Sequence, residues 1–465
     1  MEEKGLTRYL CAAAELDRKF RKELLNQIVY NNYKFTPPCF GVDLTKIASH
    51  SLQARSRDLI YDGILSVSIL WCFLSSIERF GLFGIFYGII SMLFWPLFFS
   101  YSLQVFQRIY SMWLVKNKFS KDNFNNENAS YSNLSPSLLK RIQELEQVKE
   151  SNVIYYADYS PFVGSGNRIS GWSFSAETKL RDTDGDEYIH LKSTDLYTYI
   201  DSKMTDLNLS SMKLHNGLYV DGSRIRNDKR FLENEMSSPK NKVDAIHLQD
   251  FEAMQDDHIR FYKSVQVAGW ESNFIFTTFY RISCSEQNLY LEVQNYLLNP
   301  LKKDFYEIDK QNKQIPVTFI FQSLFKSIIP AFISLVKSPA NIVTWLINLY
   351  ISSKSKDVKN QIKENQLFNY GAEKSIREMA SANDLQNFFQ KSDVEMYRKK
   401  IEQRLFQSII QYLDEVNVDT SEFKARQETI INNGVMMTGG TMNAHNVAGK
   451  MGKINHIFKE AVSSS

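Results

Sequence analysis

The 465-residue chain has little of what usually announces chemistry. Its four cysteines (Cys11, Cys39, Cys72, Cys284) show no CxxC spacing, so they read as reduced thiols rather than disulfides or zinc ligands. Seven histidines (His50, His190, His215, His247, His258, His445, His456) are scattered, with no HExxH and no Cys/His cluster. Asp182, Asp184, Gly185 and Asp186 resemble part of a calcium loop, but the acidic residue closing a twelve-residue loop is missing, so a solvated turn is expected. The formal net charge is only +3, too small to demand nucleic acid or an anionic surface. No acid, base and nucleophile set stands out. The expectation is therefore no enzyme, no catalytic residues, no metal and no cofactor.

Long apolar runs are what the chain does have. Leu59–Ile77 is followed by a polar corner, Glu78-Arg79-Phe80, and then by Gly81–Phe106, which carries no charged side chain. A bilayer core takes about 20 apolar residues of helix, and backbone in lipid must bond within its own segment. Two runs joined by three residues read as a transmembrane hairpin, whereas few soluble helices are so long and uniformly apolar. Arg55 and Arg57 precede the first run, and Arg108, Lys116 and Lys118 follow the second; the corner offers only Arg79. By the bias of basic residues toward the cytoplasm, both termini lie inside and the corner outside. The location expected is the cell membrane. The first run starts too far along to be a signal peptide.

The fold class expected is α+β: an N-terminal transmembrane helical hairpin, a cytoplasmic mixed α/β body, C-terminal helices and a short Gly/Asn-rich β tail. Residues 1–58 should hold cytoplasmic helices, with Leu10, Ala13, Ala14, Phe20, Leu24 and Ile28 at helical spacing and Asp43 capping a second helix. The hairpin takes 59–118, and a linker with a helix takes 119–151. An α+β domain follows over 152–309. Its strands are Val153–Tyr156, Ile169–Phe174, Tyr188–Leu191, Phe261–Ala268, Asn273–Cys284 and Asn288–Leu298, and Ser193–Leu207 is helical. The last three strands form an antiparallel meander. Residues 310–367 read as amphipathic or membrane-surface helices, because Gln322, Lys326 and Pro330 interrupt an otherwise apolar run; a second inserted hairpin is the competing reading. A helical region spans 368–427, with Ile401, Leu405, Ile409, Tyr412 and Leu413 on one face and Lys399, Lys400, Glu402 and Gln403 outside it. The tail, 428–465, alternates apolar groups with Gly and Asn. It reads either as short rungs that stack between chains or as a flexible terminus.

Two candidate ligand sites stand out. Gly164, Ser165 and Gly166 could let a ligand approach closely, with Arg168 beside them to pair with a phosphate. The loop precedes a strand rather than a helix, which weakens it as a phosphate cradle. Arg224, Arg226, Lys229 and Arg230 crowd one short stretch, as either a solvated loop or a phosphate-backbone contact. In the hairpin, Asp62 is an ionisable group inside a span, and Gly84 and Gly88 offer a small-residue face for helix association. Tyr87, Ser91, Ser100, Tyr101, Ser102 and Gln104 form a candidate polar path in an oligomer.

Several strings together carry a resemblance. They are RYLCAAAELD (Arg8–Asp17), YSPFVGSGNRISGWSF (Tyr159–Phe174), LYLEVQNYLLNPL (Leu289–Leu301), FNYGAEKSIRE (Phe368–Glu378), FFQKSDVEMY (Phe388–Tyr397) and DTSEFKARQETIINNGVMMTGG (Asp419–Gly440). Their order resembles a broad family of uncharacterised bacterial two-span membrane proteins, and it covers the chain nearly end to end. That resemblance implies no particular activity. The architecture also resembles the membrane effector subunit of the Hailong antiphage system. This second resemblance implies a homo-oligomeric channel in the lipid bilayer, restrained by single-stranded DNA or a nucleotide signal from a partner nucleotidyltransferase. The function expected is a gated pore in antiphage defence. The alternative is a non-catalytic membrane-anchored scaffold.

Overall fold

The computed structural model describes residues 4–81, 84–124, 136–181, 187–244, 248, 250–252, 254, 256–310, 317–350 and 353–433. The chain divides into two compact units, each gathered from three stretches. The first comprises Met1–Gly164, Val220–Val243 and Leu301–Ala380; the second comprises Ser165–Tyr219, Asp244–Pro300 and Ser381–Ser465. Residues 152–309 thus contribute to both.

The first unit is mainly helical. Helix α1 (Lys4–Leu16) is followed by α2 (Arg18–Leu24), whose N-terminus is capped by Asp17 accepting from the amides of Lys19 and Phe20. Asp43 caps α3 (Leu44–Phe80) in the same way through Thr45 and Lys46. α3 is one continuous helix of 37 residues, so the helix expected after Asp43 and the first apolar run are a single rod. Glycine at position 81, with φ +57°, ends it. α4 (Gly84–Asn117) contains Pro96 and packs along α3. α5 (Pro136–Gln147), α7 (Val317–Lys326), α8 (Ile328–Tyr350), α9 (Ser353–Glu364) and α10 (Ile376–Ala380) complete it. Leu10, Ala14, Leu24 and Ile28 are buried together with Ile47, Ala48, Leu52 and Phe119. The expected apolar face of the N-terminal helices is therefore their core.

Near the end of this unit three chain segments cross. β1 (Val153–Tyr156) presents Tyr156 O to the amide of Gly222 and Tyr155 O to that of Ala372. Tyr370 bonds Gly222 O through its amide and accepts from Phe35. Glycine is required twice here. A methyl at 222 would overlap the Gly371 amide, and one at 371 would overlap the Tyr156 carbonyl.

The second unit is built on antiparallel strands β2 (Asn167–Glu177), β3 (Met212–Asp221), β4 (Ile259–Gly269), β5 (Phe274–Cys284) and β6 (Asn288–Leu298). Within this unit the strand order is β3-β4-β5-β6-β2. The expected meander is present as β4–β5–β6, in register at Val265↔Thr278 and Thr278↔Asn295. β2 returns alongside β6 with Gly171 opposite Gln294, and a bulge lies between Arg168 and Ser170. Residues 188–191 are not a strand; only Tyr188 bridges to Lys179. β3 was not anticipated, because Lys213, His215, Asn216 and Gly217 interrupt its apolar pattern.

α6 (Ser193–Thr205), α11 (Phe388–Glu415) and α12 (Ser421–Asn433) belong to the same unit. α11 turns Ile401, Leu405, Ile409 and Leu413 inward as expected, with Tyr412 half-buried. Glu402 was expected outside but is buried, for the reason given below. Trp172 and Phe174 of β2 stack on Phe406, and Phe423 of α12 meets Phe174 edge-on. α12 extends through Asn433, so the first residues of the expected β tail are helical. The remainder, 434–465, lies outside the described residues, as does the Asp182–Asp186 turn.

Candidate membrane-facing site

Apolar side chains that no protein covers concentrate on the first unit. On α3, Ile60, Ile64, Val67, Leu70, Trp71 and Leu74 are exposed, Trp71 by 73%. On α4 the exposed residues include Phe94, Trp95, Phe98, Phe99 and Phe106, and on α7 and α8 they include Phe325, Ile329, Phe332, Ile333 and Val336. A soluble monomer rarely tolerates so large an uncovered apolar area. Among the described residues α3 is the one helix that is long and apolar enough to cross a bilayer. α7 and α8 meet that criterion only as a pair, bent by 47°. The side chains of residues 82–93, including the surroundings of Gly84 and Gly88, and those of Tyr87 and Ser91, lie outside the described residues.

Polar groups on these helices are paired within the chain. Asp62 is buried; it accepts from Asn341 Nδ2 at 3.1 Å and lies 3.8 Å from Arg18. Ser100 Oγ donates to Ala331 O at 2.7 Å, Tyr101 OH to Leu324 O at 3.1 Å, and Gln104 Nε2 to Ser334 Oγ at 2.6 Å. Ser102 bonds back to Phe98 O within α4. Three members of the supposed polar path therefore hold α7 and α8 against α4, an arrangement the linear sequence did not reveal. Interhelical bonds of this kind are each worth about 0.6–2 kcal/mol in lipid.

At the other end of α3 lies a dense ionic knot. Glu15 is nearly fully buried, with His50 Nδ1 at 3.0 Å, Arg57 at 3.0 Å and Lys118 at 3.4 Å. Burial pushes its pKa up, but the His50 hydrogen bond and the Lys118 and Arg57 charges outweigh this, and the net direction is down. Arg21 pairs with Asp58, and Arg18 reaches the same carboxylate at 3.3 Å. α1, α2, α3 and α4 are thus tied together beside the first exposed apolar turn of α3.

The two ligand sites expected from sequence fall as follows. Gly164 (φ +95°) donates its amide to Glu378 Oε1 at 3.0 Å, and Ser165 is buried. Gly166 (φ +86°) sits so close to Leu297 that no side chain fits, and Arg168 Nε donates to Gln294 at 2.7 Å. Each of these residues has a packing role. In the basic stretch, Arg226 bonds Glu235 at 2.7 Å and Asn365 O at 2.7 Å, and Arg230 is bidentate to Asp228. Arg224 and Lys229 are exposed. Lys229 O accepts from Lys240 Nζ at 3.0 Å, and Lys240 lines an open groove of about 500 Å³. Lys34, Arg141, Lys242, Glu144 and Glu150 line it too, from three separated stretches that sequence reading had not joined.

The AbeC-like domain family matches residues 171–443, more than half of the chain. The chain belongs to the AbeC-like family. No curated protein and no solved structure matches it. The AbeC-like region runs from β2 through α12 and includes α7 and α8. It also contains a buried ionic cluster in the second unit. Glu402, 1% exposed, accepts from Asn295 Nδ2 at 2.7 Å and Trp172 Nε1 at 3.1 Å, and pairs with Arg398 at 2.9 Å. Arg398 also bonds Glu395 at 2.7 Å. These partners explain why a carboxylate is tolerated on the inner face of α11. Burial raises the Glu402 pKa more than Arg398 and the two donors lower it.

Proposed function

We propose that this AbeC-like protein is a membrane-embedded effector of an abortive-infection type of phage defence, working as a gated pore assembled from several copies. The observation that carries the reading is the uncovered apolar face of α3 and α4, beside which an ionisable group, Asp62, is buried and paired. Two helices cannot enclose a channel, so association between copies is needed, with Gly84 and Gly88 as the contact face. Ser100, Tyr101 and Gln104 are engaged by α7 and α8 in the protomer; opening would free them to face water. The groove lined by Lys34, Lys240 and Lys242, with Lys229 beside Lys240, is the place for a phosphate-bearing trigger, single-stranded DNA or a nucleotide made by a partner nucleotidyltransferase. No catalytic step is assigned. The family match supports the defence setting, and the exposed apolar helices support the membrane setting.

The test is ion flux from liposomes carrying the full chain, with and without single-stranded DNA or nucleotides, against a chain lacking residues 59–106. Flux that depends on 59–106 and responds to the added anion is expected. Equal flux from both chains would remove the pore and leave an anchored scaffold.

A further inference from the structure

We infer that α7 and α8 form a collar lying obliquely across α3 and α4 inside one leaflet of the bilayer, with lipid acyl chains covering its outer face. This rests on the reading that α3 crosses the bilayer, and it adds a membrane element of a different kind.

The level of the collar follows from side-chain contacts. The Arg57 guanidinium lies over the Tyr110 ring at 5.1 Å, which puts these residues of α3 and α4 at one height. At about 1.5 Å per helical residue, Asp62 stands about 8 Å beyond that height on α3, while Gln104 stands about 9 Å and Ser100 about 15 Å beyond it on α4. α8 touches Ser100 through Ala331, Gln104 through Ser334 and Asp62 through Asn341. From Ala331 to Asn341 the helix runs about 15 Å yet changes height by only about 8 Å, so it cannot run parallel to α3 and α4. All three contacts fall within about half of a 30 Å hydrocarbon core.

The break between α7 and α8 is prepared for a water-poor setting. Pro330 has no N–H to offer Lys326 O, and Arg108 donates to that carbonyl at 2.9 Å. Leu324 O, at the last turn before the break, accepts from Tyr101. Irregular backbone survives in lipid only where protein groups bond it in this way. The collar's inner face is small, with Ser323, Ser327, Ala331 and Ser338 buried. Its outer face carries Phe325, Ile329, Phe332, Ile333 and Val336 at helical spacing, Val336 exposed by 78%. Lys326 and Lys337 are exposed beside them and have stems long enough to reach headgroups from a shallow position.

Bimane attached at Ile329→Cys, Val336→Cys or Leu70→Cys tests the depth. The full chain, with its four native cysteines replaced, is reconstituted with lipids brominated near the headgroup or near the acyl terminus. The expected result is loss of fluorescence at 336, toward the shallow end of the collar, mainly from shallow bromines, and at 329 and 70, both near the bilayer centre, mainly from deep ones. No quenching at 329 and 336 with quenching at 70 would overturn the collar alone. Deep quenching at all three would make it a span and overturn it too. No quenching anywhere would overturn the membrane reading itself. In the unmodified chain, a lipid with a photoactivatable diazirine in its acyl chain should leave adducts on residues 317–344. Adducts on α3 but none there would again overturn the collar.

Discussion

Replacing Glu402 by alanine withdraws the acceptor shared by three donors, of which Asn295 and Arg398 are buried and Trp172 half-buried. Trp172 Nε1 loses this acceptor, Asn295 Nδ2 is left with Ser170 Oγ, and Arg398, 2% exposed, loses its buried carboxylate while Glu395 remains. Breaking a buried ion pair from one side costs about 3–5 kcal/mol, chiefly by stranding the other charge. We take about 4 kcal/mol, which is close to a thousandfold in an opening equilibrium at 1.4 kcal/mol per decade. Native-state hydrogen exchange of the full chain, read on peptides from α11, should lose about that much protection, while α3 peptides stay unchanged. Glu402→Gln keeps an acceptor oxygen. Because burial raises the carboxyl's folded-state pKa above its unfolded value, its charge opposes folding as pH rises through that folded value. The Glu402→Gln chain should therefore stay within about tenfold of the parent and lose the pH dependence. The double change Glu402→Leu with Arg398→Met removes both charges and should recover most of the loss. A loss below about tenfold for alanine, or no recovery in the double variant, would refute the account.

Two further predictions concern the first unit. Glu15 has a depressed pKa, so its contribution is present above the ordinary carboxylate range and is lost as pH falls through its folded value. Exchange from α1 and α2 should accelerate in acid in the parent, and Glu15→Gln should start destabilised and show no such acid limb. Gly371→Ala drives a methyl into the Tyr156 carbonyl at the three-segment crossing and should cost about 1–3 kcal/mol. The thermal midpoint reports it, and an unchanged midpoint would contradict the packing.

What the sequence made legible was local. The apolar runs, the cap at Asp43, the β4–β5–β6 meander and the inner stripe of α11 all depend on periodicity or on residues a few positions apart. What it hid was distant pairing. Glu402 looks like a solvent-facing residue beside Lys399 and Lys400, because Trp172 and Asn295, which receive it, lie over a hundred positions away. Ser100, Tyr101 and Gln104 look like a polar stripe waiting for water, because nothing nearby in sequence points to Ala331, Leu324 or Ser334. The glycine-rich loop at 164–166 carries two readings for a related reason. Positive φ and close approach are what a ligand loop needs, but backbone packing against Leu297 needs them equally.

On the proposed pore reading, the placement of Asp62 would link these observations to gating. A carboxylate beside an exposed apolar helix is tolerated because Asn341 of α8 and Arg18 of α2 both reach it. Arg18 also contacts Asp58, which holds Arg21, and Glu15 gathers Arg57 and Lys118 from α3 and the end of α4. The collar and the N-terminal helices therefore meet at one carboxylate. Shifting α8 outward removes Asn341 from Asp62 and Ser334 from Gln104 together, so both helices would expose polar groups in one movement. A hydrophobic replacement at Asn341 would leave the Asp62 carboxylate with Arg18 alone and bias the chain toward that opened arrangement. The energetic asymmetry matters here: the closed state satisfies these polar groups with protein, whereas the open state can satisfy them only with water. On the proposed pore reading, opening would therefore require several copies that together admit that water.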